Sequence, residues 1–342
     1  MNIGIIFGGK SFEHDISIIT ANTIYQILKE KYNLYLLYIN QDGKFKFLEK
    51  MNIEKFVKQE KLKGFSFVFR GIKCGIKKVK LDCIINAMHG INGEDGLASV
   101  ISNLYDIPFV GSNHISSGLL MDKHFTYAVL LENNIKVIET KFLFKDETIR
   151  QNFSFPLIIK PARLGSSIGI NVCSDIHNLN DSLNKSFEFD RKVVIQPFIS
   201  SFKEVNQAAY FYNNELVLSN IEEVFKKDEI LSFKDKYEDV KVDKTKKFIK
   251  DVILIEKISD ITKRIYSLFQ LSGVVRIDYM IIGDEVYVNE VNTTPGSLSF
   301  YLFNDGVVLF KRLIYEALKN HQNKIKTTFE SLVLYQKNMC KK

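Results

Sequence analysis

No run of eighteen apolar residues occurs in the 342-residue chain, so a membrane-spanning helix is not expected. The opening MNIGIIFGGK has no basic n-region and is interrupted by Gly8-Gly9, which reads as a buried strand rather than a signal peptide. Four cysteines, Cys74, Cys83, Cys173 and Cys340, form neither a CxxC nor a paired spacing. That argues against a zinc site or disulfide framework and for a reducing, cytoplasmic setting. Repeats and low-complexity tracts are absent. The fingerprint GxGxxG is missing too, and with it the usual mark of a dinucleotide-binding oxidoreductase.

What is present is ordinary globular material: 46% hydrophobic and 25% charged residues, and enough length for two or three packed subdomains. The formal net charge is +7, yet the basic residues read as dispersed. The densest stretch, Lys234 to Lys250, is interleaved with Asp235, Glu238, Asp239 and Asp243. Nucleic acid needs a clustered basic face and is not expected as a partner, nor is a membrane. A phosphate-handling site is the better use of the imbalance.

Apolar runs and breakers alternate in an α/β rhythm. Ile3–Phe7 reads as a strand, followed by a glycine turn, a helix through Ile27 and a strand at Leu34–Ile39, a unit typical of parallel sheets. A strand at Asp82–Met88 and a helix at Gly96–Tyr105 follow. Then come one helix over Leu119–Asn133, strands at Thr140–Phe144 and Phe155–Lys160, the loop Ala162–Gly169 and a strand at Ile170–Cys173. Beyond Val193–Ile199 and a hairpin at Asn213-Asn214 lie a polar stretch, Phe225 to Lys247, and a helix over Phe248–Gln270. Val274–Ile281 and Glu285–Asn289 form a hairpin around Gly283-Asp284, and a helix covers Val307–Asn320.

Arg276-x-Asp278 and Glu290-x-Asn292 carry the clearest chemistry. Residues two apart in a strand share a face, so pairing of the two strands gathers three hard oxygen donors beside a guanidinium. Such a set suits Mg²⁺ bound together with phosphates, although a solvated salt-bridge network uses the same residues. Lys160 ends an apolar strand and opens a Gly/Ser loop, where an ammonium and loop N–H groups can hold phosphate oxygens. Lys123 on its own reads as a helix lysine. Glu13, at the start of a helix, either complements the helix dipole or holds an ammonium group. His89, in the loop His89-Gly90-x-x-Gly93-Glu94-Asp95-Gly96, reads first as a residue ordering that loop.

Taken together, these blocks resemble the D-alanine–D-alanine ligase family of the ATP-grasp superfamily. The resemblance rests on Gly8-Gly9-x-Ser11-x-Glu13-His14-Asp15-x-Ser17, the His89 to Gly96 block and Met121-Asp122-Lys123. It continues through Lys160-Pro161-Ala162-Arg163-Leu164-Gly165-Ser166-Ser167-x-Gly169, the lid-like Phe233-Lys234-Asp235-Lys236-Tyr237, and Arg276-x-Asp278 with Glu290-x-Asn292-Thr293-Thr294-Pro295-Gly296. It implies an α/β chain with α+β elements: a parallel-sheet subdomain at 1–112, then a two-lobed ATP-grasp fold at 113–192 and 193–342. The implied reaction joins two D-alanine molecules at the expense of ATP through an acyl phosphate, for peptidoglycan precursors. Lys123 and Lys160 would hold ATP phosphates, with Ser167 and Lys236 also at the nucleotide. Gln196, Phe198 and Ile199 would meet the adenine, and Glu204 the ribose. Asp278, Glu290 and Asn292 would bind two Mg²⁺ ions, with Mn²⁺ able to substitute. Glu13 would hold the first ammonium, linked to Ser166 and Tyr237, while Arg276 and the Gly296 amide would stabilise the oxyanion. His89, Ser297 and Ser299 would line the substrate site, and a homodimer is implied.

Three departures from the family pattern stand out. Gln196-Pro197 replaces the common Glu-Lys at the adenine hinge, Tyr301 aligns with the usual serine for the second substrate's carboxylate and leaves Ser297, Ser299 or its own hydroxyl to take that role, and the lid is short and lysine-rich. The rival activities are a ligase for D-alanine and D-lactate or D-serine, and a silent nucleotide-binding relative. Within the family a lid tyrosine, here Tyr237, favours the dipeptide over the ester.

Overall fold

A computed structural model describes residues 1–58, 61–148, 152–224 and 247–321, with Leu332, Tyr335 and Gln336 beyond them. The lid residues Lys236 and Tyr237, most of the Phe225 to Lys247 stretch and Cys340 lie outside the described residues. In chain order the first part runs β1 (Asn2–Gly8), α1 (His14–Leu28), β2 (Asn33–Ile39), β3 (Phe45–Leu48), α2 (Ile53–Val57), β4 (Lys63–Gly64), β5 (Ser66–Val68), β6 (Gly71–Cys74), β7 (Lys77–Lys80), β8 (Cys83–Asn86), α3 (Leu97–Leu104) and β9 (Phe109–Val110). Ile3, Ile5, Ile6 and Phe7 are all fully buried, as in a strand covered on both faces. β1 lies in parallel between β2 and β8, and β9 extends the sheet beyond β8. The strands β3 to β7, missed in the sequence reading, are short; β3 and β4 add antiparallel edges, and β5–β6–β7 form a separate small sheet.

Next come α4 (His114–Met121), α5 (Lys123–Glu132), β10 (Lys141–Phe144), β11 (Leu157–Pro161), β12 (Asn171–Cys173), α6 (Leu179–Phe187) and β13 (Lys192–Pro197). β10-β13-β11-β12 make a four-stranded antiparallel sheet backed by α6, which the sequence reading also missed. The expected single helix over Leu119–Asn133 is two. Asp122 adopts an extended conformation (φ −89°, ψ 107°), and its carboxylate accepts the His124 and Phe125 N–H groups at the head of α5. A short acid satisfying those orphan donors favours a new helix start over continuation.

The last part holds β14 (Lys203–Tyr212), β15 (Glu215–Leu218), β16 (Glu222–Val224), β17 (Lys247–Phe248), α7 (Val252–Leu268), β18 (Val275–Ile282), β19 (Glu285–Asn292) and α8 (Gly306–Asn320). β14 lies between β16 and β18, with β19 on the far side of β18. One core of this part includes Ile258 and Ile265 of α7, Ile277 and Tyr279 of β18, and Leu130 of α5. Leu309, Phe310 and Leu313 of α8 pack instead with β1 and α1, tying the end of the described chain to its beginning.

Candidate active site

The β18–β19 ribbon owes its chemical face to one extra residue. Near the turn Ile282 pairs with Glu285 and Tyr279 with Val288. Continued without change, that register would set Asp278 opposite Asn289 and Arg276 opposite Val291, turning Glu290 and Asn292 to the other face. The register shifts between Asp278 and Tyr279 instead, so Asp278 pairs with Glu290 and Arg276 with Asn292. Asn289 is the bulge, and its carbonyl accepts the buried Tyr127 hydroxyl at 2.7 Å. Residues directly opposite share a face, so all four groups converge while Val291 enters the core.

Arg276 grips Asp278 with two bonds, Nε to Oδ1 at 2.7 Å and Nη2 to Oδ2 at 2.8 Å. Asn292 Nδ2 reaches Asp278 Oδ2 at 3.0 Å. From the head of α5, the Lys123 ammonium lies 3.1 Å from Glu290 Oε1 and 2.6 Å from the Leu164 carbonyl. Lys123 is therefore buried against the ribbon and the loop, not a solvated helix lysine. Asp278, Glu290 and the Asn292 amide oxygen make a hard-oxygen set of the kind that takes Mg²⁺ or Mn²⁺ with phosphates. No cluster of three His, Cys, Asp or Glu side chains occurs among the described residues, so such an ion would depend on Asn292 as well as the two acids.

Across from this ribbon, Lys160 at the end of β11 is buried and lines one cleft with Lys123, Ser166, Ser167, Gln196, Phe198, Ile199, Glu204, Met280 and Glu290. The cationic cradle and the acidic ribbon thus face each other across a single cleft. Ser166 and Ser167 both sit in the left-handed region, at φ 52° and 60°. The Ser166 hydroxyl donates a hydrogen bond to Glu13 Oε1, and Glu13, although at the N-cap position of α1, makes no side-chain capping bond there. Burial raises the Glu13 carboxyl above its usual range, reinforced by the charge of Glu94.

A second set of contacts seats these elements. The Lys123 N–H donates to the Ala162 carbonyl and the Ala162 N–H to the Lys192 carbonyl, both at 2.9 Å. Lys192 Nζ holds both oxygens of Asp122 at 2.9 and 3.0 Å, with the two side chains only 4% and 7% exposed. The same ammonium lies 4.0 Å from the centre of the Phe125 ring. Asp190 completes the framework by binding Arg163 at Nε and Nη2 and through its backbone N–H.

His89 orders its loop and feels the charges of Glu13 and Arg276. Its Nε2 lies 2.8 Å from the Thr20 hydroxyl and its Nδ1 lies 3.5 Å from Glu94. Burial holds His89 down to about 4, so the ring is neutral near pH 7. Burial, aided by the Glu290 charge, pushes Glu94 up to about 8. Gly90, at φ +64°, must lack a side chain: a Cβ there would come within 2.3 Å of Ser11 Oγ and 2.9 Å of a Glu13 oxygen. Sequence reasoning passed over Glu94, although it stands inside the quoted His89 block. Lys192 carried no signal, because only the fold brings it to Asp122.

After Gly296 the backbone makes three left-handed steps, Ser297, Leu298 and Ser299, at φ 50°, 50° and 47°. The Ser297 N–H donates to the Thr20 hydroxyl at 3.1 Å. Ser299 is wholly buried, and its hydroxyl has no partner among the described residues. Tyr301 accepts a hydrogen bond from Arg276. A Cβ at Gly296 would meet nothing within 4 Å, so there is room beside its amide. At the hinge, Gln196 Nε2 donates to the Thr140 hydroxyl at 2.7 Å. The Phe198 N–H donates to the Pro156 carbonyl at 3.0 Å, so it is engaged within the protein and Ile199 is the residue of that pair with an amide left for a ligand.

Matches to known proteins cover most of the chain. Residues 2–112 match the family model described as D-ala D-ala ligase N-terminus, and residues 123–316 that described as D-ala D-ala ligase C-terminus. The chain is 37% identical over 337 residues to a D-alanine–D-alanine ligase of Thermosipho melanesiensis, covering 92% of this chain and 91% of the relative. A D-alanine–D-alanine ligase of Campylobacter jejuni is 36% identical over 321 residues, covering 89% and 90%. The crystal structure of D-alanine–D-alanine ligase from Helicobacter pylori superposes with a TM-score of 0.80 at 30% identity, covering 92% of this chain and 98% of that one.

Proposed function

The chain belongs to the D-alanine–D-alanine ligase family, and from that premise we propose how its cleft joins two D-alanine molecules with the consumption of ATP. It is an ATP-dependent ligase with the ATP-grasp fold of that family. One observation carries the reading: the bulged ribbon turns Asp278 and Glu290 to one face, and Lys123 spans from Glu290 to the phosphate-type loop at Leu164.

A carboxylate is a poor electrophile, so the first D-alanine must be activated. Its carboxylate attacks the γ-phosphorus of ATP, giving an acyl phosphate and ADP. The second amine then attacks the acyl carbon and phosphate departs, leaving the dipeptide. Lys123, Lys160 and Ser167 bind the phosphates, with Lys236 joining from the lid. Glu204 takes the ribose, and Gln196 with Ile199 takes the base edge. Asp278, Glu290 and Asn292 would hold two Mg²⁺ ions, or Mn²⁺, which when bound neutralise and align the phosphate oxygens. Glu13, steadied by Ser166 and linked to Tyr237, holds the first ammonium. Arg276 and the Gly296 amide face the oxygen on which charge develops, where fixed donors in a poorly solvated site act most strongly. Tyr301 steadies Arg276. His89, Ser297 and Ser299 serve the second substrate, Ser299 being the one with a free buried hydroxyl among the described residues. Positioning two reactants in one cleft supplies much of the acceleration.

On this reading the chain divides into units at 1–112, 113–192 and 193–342, and the pairing of β13 with β10 and β11 favours moving the second boundary from 192 to the end of β13 at Pro197. The product feeds peptidoglycan precursor synthesis in the cytoplasm. No described helix is long and apolar enough to cross a membrane. A homodimer is supported by the apolar stripe Leu97, Val100 and Leu104 exposed on α3, with Ile115 exposed on neighbouring α4. The deciding experiment incubates purified protein with ATP, Mg²⁺ and a mixture of D-alanine, D-serine and D-lactate, and identifies the products. D-Alanyl-D-alanine with stoichiometric phosphate is expected; an ester as the sole product would overturn the assignment.

A further inference from the structure

The positive charge of this chain is not dispersed, as its sequence first suggests. Residues 61 to 81 contain seven basic residues, Lys61, Lys63, Arg70, Lys73, Lys77, Lys78 and Lys80, and no acidic one. Removing those seven from the 47 lysines and arginines leaves 40, equal to the 40 aspartates and glutamates of the whole chain. This one segment therefore accounts for the whole net charge of +7.

The fold concentrates it further. In the β6–β7 hairpin Lys73 pairs with Lys78, and Lys80 lies two residues along the same face. The opposite face, with Ile72 and Val79, packs against Phe65 and Phe67. Lys63, Lys73, Lys77, Lys78 and Lys80 are exposed, and none forms an ion pair with a described residue. Arg70, by contrast, is occupied by Asp106 at 2.6 Å. Like charges directly across a strand pair repel, so the Lys73–Lys78 pair is a local cost that an external anion would relieve. At the turn beyond them Ile76 is fully exposed.

We propose that the β6–β7 hairpin docks this enzyme on an anionic bilayer surface, with its lysines among the headgroups and Ile76 in the apolar margin beneath them. Lysine clusters beside an apolar tip suit such a surface. The segment's one arginine and exposed ring, Arg70 over Phe69 at 5.4 Å, lie at the β5–β6 turn, the other end of β6 from Ile76, and Arg70 is held by Asp106, so a single-stranded nucleic acid would find no stacking ring among the lysines.

The test is flotation of the full chain with vesicles of phosphatidylcholine alone or with added phosphatidylglycerol. Binding is expected only to the phosphatidylglycerol vesicles, falling as salt rises. Each Lys→Ala change at 73, 77 or 78 should weaken it roughly fivefold, and the combined Lys73→Glu, Lys77→Glu, Lys78→Glu variant should abolish it. Ile76→Ser should weaken vesicle binding while leaving retention on soluble polyphosphate unchanged. All these variants should keep full ligase activity in vesicle-free solution, which shows that they fold. The proposal is overturned if the wild-type chain stays with the unfloated fraction, if the triple charge reversal floats like wild type, or if Ile76→Ser floats as well as wild type.

Discussion

Two neighbouring residues, Asp122 and Lys123, each enter an ion pair, and the two pairs have opposite characters. Asp122 meets Lys192 in a nearly closed setting beneath Phe125, and its Oδ1 also caps α5. Lys123 meets Glu290 at the wall of the cleft, where both side chains are more exposed, 11% and 28%. The first pair is complete within the protein, so it holds the head of α5 in one place. The second joins two groups that nucleotide binding would separate, with Lys123 turning to phosphate. On the proposed reading, one pair builds the site and its neighbour works in it.

Breaking the buried pair should have the largest effect. Lys192→Met leaves Asp122 charged and without its cation, and loss of one partner of a buried pair costs about 3–5 kcal/mol. Denaturant unfolding should show that loss, and KM for ATP should rise more than kcat falls as the head of α5 loosens. An unchanged unfolding midpoint would erase the distinction between the two pairs. Lys123→Ala should do the reverse: kcat/KM falls on the order of 10²–10³-fold, as when one stabilising donor is removed, while the unfolding midpoint barely moves. Tyr301→Phe removes a hydrogen bond to a charged group and should cost about tenfold in kcat, with KM for ATP unchanged.

The smallest effects concern pH and sharpen the same contrast within the His89 loop. Glu94, pushed up to about 8, gives stability that is complete below the ordinary glutamate range and is lost as pH rises through 8. His89, held down to about 4, gives stability present above its ordinary value near 6.5 and lost as pH falls towards 4. Glu94→Gln should therefore unfold at a higher temperature than wild type at pH 9 but not at pH 5. His89→Gln should flatten the acid limb of the ligand-free protein's thermal-stability profile.

The sequence showed the chemistry better than the supports. Lys160, Asp278, Glu290 and Asn292 were visible because polar and charged residues punctuate apolar strands. Lys123 looked like a surface lysine, since nothing local reveals that Asp122 starts a new helix and turns its neighbour into the cleft. Glu94 stood inside a recognised block, but its unusual proton affinity comes from burial beside Glu290, almost two hundred residues away. The short strands β5, β6 and β7 escaped notice because three or four residues give alternation too little length to register.

By itself the sequence determined the α/β rhythm and the parallel first sheet, which follow from side-chain period, and it marked candidate groups for the chemistry. Tertiary structure decided whether those groups could meet. The bulge at Asn289 turned Glu290 and Asn292 towards Asp278, the Asp122–Lys192 pair seated Lys123, and the β6–β7 pairing gathered lysines that look scattered when read in line. All three depend on pairings between strands or on contacts across long stretches of chain, and burial and hydrogen bonding select those only in the folded molecule.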